Sequence, residues 1–153
     1  VMGVDLKRTY RLYQKLKVVI PDLGYLAGYS VCESPDGLPL CCDLLEVGND
    51  FRRISLGHYW QLTTGEQVPD VLFEVNVFLD WQLAEAVSYE FGGQFEDAYA
   101  VDGKPPVLAI HRRINRFLEQ WLDLLALQGY RLVAGAGTAA ATNSGQCIAG
   151  VEL

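Results

Sequence analysis

Glu74 and Asn76 stand two apart in the run Val71 to Leu79, and Glu85 follows shortly after a turn at Asp80. Residues two apart in a strand share a face, so Glu74 and Asn76 point the same way and Glu85 returns beside them on the next strand. General acid–base chemistry uses two carboxylates so placed when burial raises one of them. The commoner reading is a pair of solvated charges on an outer sheet face. Glu74 and Glu85 are the catalytic candidates, with Asn76 or His58 as a third group. His111 and Asn115 lie four apart on one side of a helical run, next to Arg112 and Arg116. That set would suit an anion or a nucleic acid, although a helix start with solvated arginines is the plainer account. An Asn inside a helix has no propensity advantage, and Asn115 is placed either to cap or to tie a hairpin to the helix.

Three of the four cysteines, Cys32, Cys41 and Cys42, fall within eleven positions. Successive strand residues point to opposite faces, so Cys41 and Cys42 do not serve one ion. A turn centred on Asp36-Gly37 sets Cys32 opposite Cys41, a pair that oxidation would join, while buried thiols behaving as small hydrophobes are the ordinary alternative. No nucleotide-binding loop, acyl-transfer elbow or zinc-protease motif occurs. The expectation is no metal and no cofactor.

The elements that must carry these residues follow from periodicity. Asp5 is a fair N-cap for a helix that groups Leu6, Tyr10, Tyr13, Lys17 and Ile20, flanked by Leu12, Leu16 and Val19, and ends near Val19 before Pro21. Strands are expected at Tyr25 to Glu33, Leu40 to Val47, Phe51 to Trp60, Val71 to Leu79 and Leu83 to Phe91, the last alternating Leu83, Val87, Tyr89 and Phe91 against Ala84, Ala86, Ser88 and Glu90. The stretch "GGQFEDAYAVDGKPP" reads as irregular. The run "VLAIHRRINRFLEQWLDLLALQGY" reads as a second amphipathic helix stopped by Gly129. Short turns make neighbours antiparallel. The expected fold is α+β: a meander of about five strands flanked by two amphipathic helices. A single domain spans 1–132, and an Ala/Gly-rich tail follows at 133–153, ordered only if a partner, a second copy or a terminal strand holds it.

The chain has 153 residues, is half hydrophobic and carries a net charge of −7. Such a field disfavours nucleic acid and anionic membrane except through a local basic patch. From Ile54 to Gly103 there is no Lys or Arg against nine acids, while basic residues gather around Lys7, Arg8, Arg11, Lys15 and Lys17, at Arg52 and Arg53, and at Arg112, Arg113 and Arg116. Either the two sets pair within the fold or they form faces of opposite sign. No run of eighteen apolar residues and no apolar signal core occurs, so a cytoplasmic protein without membrane contact is expected. A start at Val1 reads as trimming or an incomplete N-terminus.

Three stretches resemble the YqiB-like family of bacterial domains of unknown function: "TYRLYQKLKVVIPDL", "FLDWQLAEA" with Asp80, Ala84 and Glu85, and "HRRINRFLEQWLDLLALQGY" with Ile114, Asn115, Phe117, Leu118, Trp121 and Leu122. The likeness spans roughly residues 9 to 130. It implies a small cytoplasmic bacterial protein with no assigned activity, cofactor or catalytic residue, and it marks Asp80, Glu85 and Asn115 as the polar positions to test.

Three functions remain open on the sequence. The first is a non-catalytic interaction module with a protein partner or as a homodimer. The second is a small-ligand binder or small enzyme using Glu74 and Glu85. The third is an RNA- or ribosome-associated protein acting through Lys7, Arg8, Arg11, Arg112, Arg113 and Arg116. Among binding residues the candidates are Asp80, Glu85, His111, Arg112, Asn115 and Arg116.

Overall fold

The computed structural model describes residues 5–33, 37–100 and 103–133. Asp36 of the expected turn, and the tail from 134 onward with Cys147, lie outside them. Helix α1 (Leu6–Val19) opens on Asp5, whose Oδ1 accepts from the Lys7 and Arg8 amides at 3.0 and 3.2 Å, the expected N-cap. Its buried face is Thr9, Leu12, Tyr13, Leu16 and Val19. Leu6 and Tyr10, which periodicity placed on that face, are about half exposed, at 58 and 49%. Thr9 misled the reading: a buried hydroxyl, which donates to the Leu6 carbonyl at 3.0 Å, occupies a core position that an apolar count overlooks.

After a single 3₁₀ turn at Leu23–Tyr25, six antiparallel strands follow in simple meander order: β1 (Tyr29–Cys32), β2 (Leu40–Gly48), β3 (Phe51–Gln61), β4 (Gln67–Phe78), β5 (Leu83–Phe91) and β6 (Gln94–Asp97). The α+β fold is as expected. The added strand β6 returns from β5 through the two-residue loop Gly92-Gly93, both at positive φ, with Phe91 paired to Gln94; this is the glycine pair that a tight primed hairpin requires. Cys32 pairs with Leu40 and Cys41 with Val31, so the hairpin is one residue out from the Asp36-Gly37 centring. Cys32 is not opposite Cys41, and Cys32 and Cys42 are free thiols. Cys42 joins the core under the helices, whereas Cys41 packs with Tyr29 and Val31 on the other face.

Helix α2 (Leu108–Leu127) closes the chain onto the sheet. Gly129 at φ +83° lets the Gly129 amide donate to the Ala126 carbonyl and the Tyr130 amide to that of Leu125, the paired bonds of a Schellman stop. One core lies between the helices and one sheet face. It contains Leu12, Leu16 and Val19 of α1, Ile114, Leu118, Leu122 and Leu125 of α2, and Leu40, Ile54, Leu56, Phe73, Val75 and Val77 of the strands. Ala84 and Ala86 are the only β5 residues fully inside this core. Side chains this small let both helices approach the strand closely, and a residue as bulky as Leu there would overfill the space.

The helices run side by side in the same direction, because Arg11 reaches Glu119 and Lys15 reaches Asp123, each one turn further along its helix. Glu119 gathers Arg8, Arg11 and Lys15 within 3.3 Å. The Arg11 hydrogen bond comes first and the Lys15 bond next in holding its carboxyl down at about 2, against the opposing effect of burial. A carboxyl depressed on folding stabilises the native state above its unfolded value near 4.5, and that stability disappears as pH falls through about 2. Glu119→Gln is expected to cost about 1 kcal/mol, reduced by the exposure of its partners. In urea melts the gap between the two proteins should be full at pH 6, narrow below 4.5 and close near pH 2. A gap independent of pH would mean that packing, not charge, is lost.

Candidate functional site

Three of the sequence-selected residues meet at the edge of β5. There β6 stops pairing at Ser88, and the Ala98 amide takes the Val87 carbonyl. The next edge groups belong to Ala86, and Asn115 supplies what a strand would. Its Oδ1 accepts from the Ala86 amide at 2.7 Å, while its Nδ2 donates to the Ala86 carbonyl at 3.0 Å and to the His111 carbonyl at 2.8 Å. The side chain ties hairpin to helix and is 1% exposed. One turn earlier, His111 Nε2 stands 3.6 Å from Glu85 Oε2, beyond hydrogen-bond reach, and neither atom has a hydrogen-bond partner among the described residues. Glu85 Oε1 accepts from the Tyr99 hydroxyl at 2.6 Å. Burial pushes the Glu85 carboxyl up, but His111 and Tyr99 more than offset it and leave it below the usual carboxylate range; burial and then Glu85 push the Tyr99 phenol upward.

This cluster is enclosed. The hollow beside it, under Asp5, Arg8, Thr9, His111, Arg112 and Asn115, holds about 10 Å³, room for a single water. It is a structural tie with no space for a substrate. Glu85 is therefore not a solvated outer-face charge, and it does not pair with Glu74. A bulge at Val87 sets Glu74 opposite Ser88 and Asn76 opposite Glu85, and Glu74 accepts from the Ser88 hydroxyl at 3.2 Å. Asp80 caps the exposed β4–β5 turn through the Trp81 amide, and Arg112 and Arg116 are exposed. Of the basic residues named for RNA contact, Arg8 and Arg11 are engaged with Glu119 and Arg113 with Glu96.

A much larger hollow lies elsewhere, between the last turns of α2 and the ends of the central strands. It is a cleft of about 500 Å³. His58, Val71 and Phe91 form one rung across β3, β4 and β5, and Phe73 and Tyr89 part of the next. Phe117, Trp121 and Leu124 of α2 and its C-cap residue Gln128 face them, and Tyr130 and Leu38 close one end. The aromatic rings form a continuous series. Tyr130 and Trp121 each lie 5.5 Å from His58, Trp121 lies 5.4 Å from Phe73, Phe73 4.7 Å from Tyr89, and Tyr89 5.6 Å from Phe117. Two bulges build this wall. The shift at Val87 brings Tyr89 and Phe91 onto the helix face behind Ala84 and Ala86. A second leaves Asp70 unopposed, since His58 pairs with Val71 and Tyr59 with Pro69, and puts it in the cleft lining, where its charge acts on His58 and Tyr89.

The polar groups here are few and oriented. His58 Nδ1 lies 2.9 Å from the Pro39 carbonyl, which can only accept, so Nδ1 carries the proton. Burial holds the imidazole below its ordinary value, although the Pro39 carbonyl and Asp70 pull the other way. At neutral pH the ring is uncharged and Nε2 is an acceptor. The Tyr130 hydroxyl donates to the Leu38 carbonyl at 2.5 Å and pins the same segment. Burial and then the carboxylates Asp70 and Glu96 push the Tyr89 phenol upward. Asp70, Gln120 and Gln128 complete the polar lining. Of the cleft's polar residues the sequence had put forward only His58 for chemistry, and of its aromatic ones Phe117 and Trp121 had been marked by the family resemblance. The aromatic side chains are individually what a core would contain, and only the two bulges collect them.

No curated protein and no solved structure matches the chain. A family model described as "Protein of unknown function (DUF1249)" matches residues 38–131, more than half of the 153 residues. The matched stretch runs from the Leu38 end of the cleft through α2, and it includes the Asn115 tie.

Proposed function

We propose a function for a chain that belongs to the DUF1249 family of proteins of unknown function: it binds a small, planar organic molecule in the aromatic cleft between α2 and the sheet. The observation that carries this reading is the cleft itself. A concave, mostly apolar hollow of about 500 Å³ with a few convergent polar groups, one of them a histidine displaced from its ordinary pKa, is the usual form of a ligand site. Ring stacking would supply the affinity, and the His58 acceptor and the Gln120 and Gln128 amides would set orientation.

Ligand binding comes ahead of a protein-interaction module because part of the charge such a module would present is paired within the fold. Arg8, Arg11 and Lys15 meet Glu119, and Arg113 meets Glu96. The same ion pairs count against RNA association. No described helix is long and apolar enough to cross a membrane; a bacterial, cytoplasmic setting and kinship with the YqiB-like family remain part of the proposal.

The test is ligand-observed magnetic resonance with a library of small ring compounds on the full chain. Leu124→Trp, at an exposed cleft position, puts a bulky ring into the hollow without touching the core. Compounds that bind the native protein are expected to lose about tenfold or more in affinity to this variant. Hits that bind the variant equally, or no hits at all, would defeat the reading.

A further inference from the structure

The cleft has a sign. Its lining contains no Lys or Arg, and the stretch that builds its sheet wall, Ile54 to Gly103, contains none either. An anionic ligand would meet only neutral donors, the Gln120 and Gln128 amides, the Trp121 indole N–H and the Tyr89 hydroxyl, with the Asp70 carboxylate opposing it. The ring faces add to this asymmetry, because an aromatic face carries the negative end of its quadrupole. Tyr89 and Phe91 lie parallel within 2° at 6.4 Å, and Trp121 presents the ring type that attracts cations most strongly. Asp70 is a partly buried carboxylate at a bulge, in the lining of the hollow. His58, its Nδ1–H committed to Pro39, offers a lone pair and adds no competing charge.

We propose that the ligand is an organic cation, an aromatic body bearing an ammonium group, held by the cleft's ring faces and by Asp70, with an N–H donated to His58 Nε2. This rests on the ligand-binding reading above and adds the charge class. Stacking would accept a neutral ring as readily; the selection for positive charge comes from Asp70 and the absence of any basic lining residue. The side-chain tie at Glu85, His111 and Asn115 plays no part in it.

Three compounds sharing one ring system separate the terms: 2-naphthylmethylamine (a cation at pH 7), 2-naphthalenemethanol and 2-naphthoate. Each is titrated into the full chain and followed by calorimetry, with Leu124→Trp as the obstructed-cleft control. The cation is expected to bind about tenfold more tightly than the alcohol, and the carboxylate more weakly than either. Asp70→Asn should remove most of that preference, weakening the cation far more than the alcohol. If the alcohol or the carboxylate matches the cation while all three are blocked by Leu124→Trp, the cleft binds ligands but the charge assignment is wrong. If none of the three binds, the charge assignment falls together with the ligand-binding reading.

Discussion

Asn115→Leu is expected to lower stability by about 3–5 kcal/mol, a large part of what a domain of this size possesses. Leucine has the same number and branching of side-chain heavy atoms and leaves no cavity, so the loss reports mainly on hydrogen bonding. Ala86 is fully buried, and its amide and carbonyl both lose their partner, whereas the His111 carbonyl loses one donor and keeps its place in the helical backbone ladder. Each orphaned buried group costs about 1–3 kcal/mol. Asn115→Asp separates the contributions. It keeps an acceptor for the Ala86 amide but sets a carboxylate oxygen against two carbonyls, so it should be as damaging near pH 7 and milder in acid, where the protonated group can donate again. Urea denaturation at the two pH values checks both; a leucine variant within 1 kcal/mol of the native protein would mean water replaces the amide without loss.

Gly57→Ala should cost about 2–4 kcal/mol for a different reason. Gly57 has no unusual backbone angle, but a Cβ there would sit 2.4 Å from the Val71 carbonyl oxygen and 2.9 Å from Leu72 Cδ1. The oxygen is backbone and cannot swing away. Relief requires β3 and β4 to separate beside the Asp70 bulge, so the same variant should also weaken whatever the cleft binds. The comparison is Gly65→Ala, where φ is +88° and nothing lies within 4 Å; only backbone strain of about 1 kcal/mol is expected there. A Gly57→Ala melt no worse than the Gly65→Ala melt would rule out the close approach.

Both helices, the Asp5 cap, the Gly129 stop and five of the six strands were legible from periodicity and turn residues, most clearly in Val71, Phe73, Val75 and Val77. Asn115 was legible as an anomaly, a polar residue on a helix face with no local reason to be there. The bulges were not. One inserted residue at Val87 reverses the alternation of β5, so Tyr89 and Phe91 emerge on the side of Ala84 and Ala86, which sequence pattern had assigned to the opposite face. Strand β6 was missed because Phe95 is its sole apolar residue and is exposed, although Gly92-Gly93 was a usable sign. Glu85 was misplaced as solvated because its burial depends on Tyr99 and His111, which lie 14 and 26 residues away in sequence. Such long-range cover leaves no trace in local pattern.

The parallel contact of α1 with α2 bears on how the chain is made. In a meander each strand finds its neighbour a few residues later, but the partners of α1 lie far downstream: Ala84 and Ala86 of β5, and Glu119 and Asp123 of α2. Synthesis from the N-terminus releases α1 with Leu12, Leu16 and Val19 bare. At about 5–20 residues per second, the roughly 100 residues between α1 and Glu119 take on the order of 5–20 s to appear. During that interval the chain carries an uncovered amphipathic helix, a natural point of engagement for a holding chaperone.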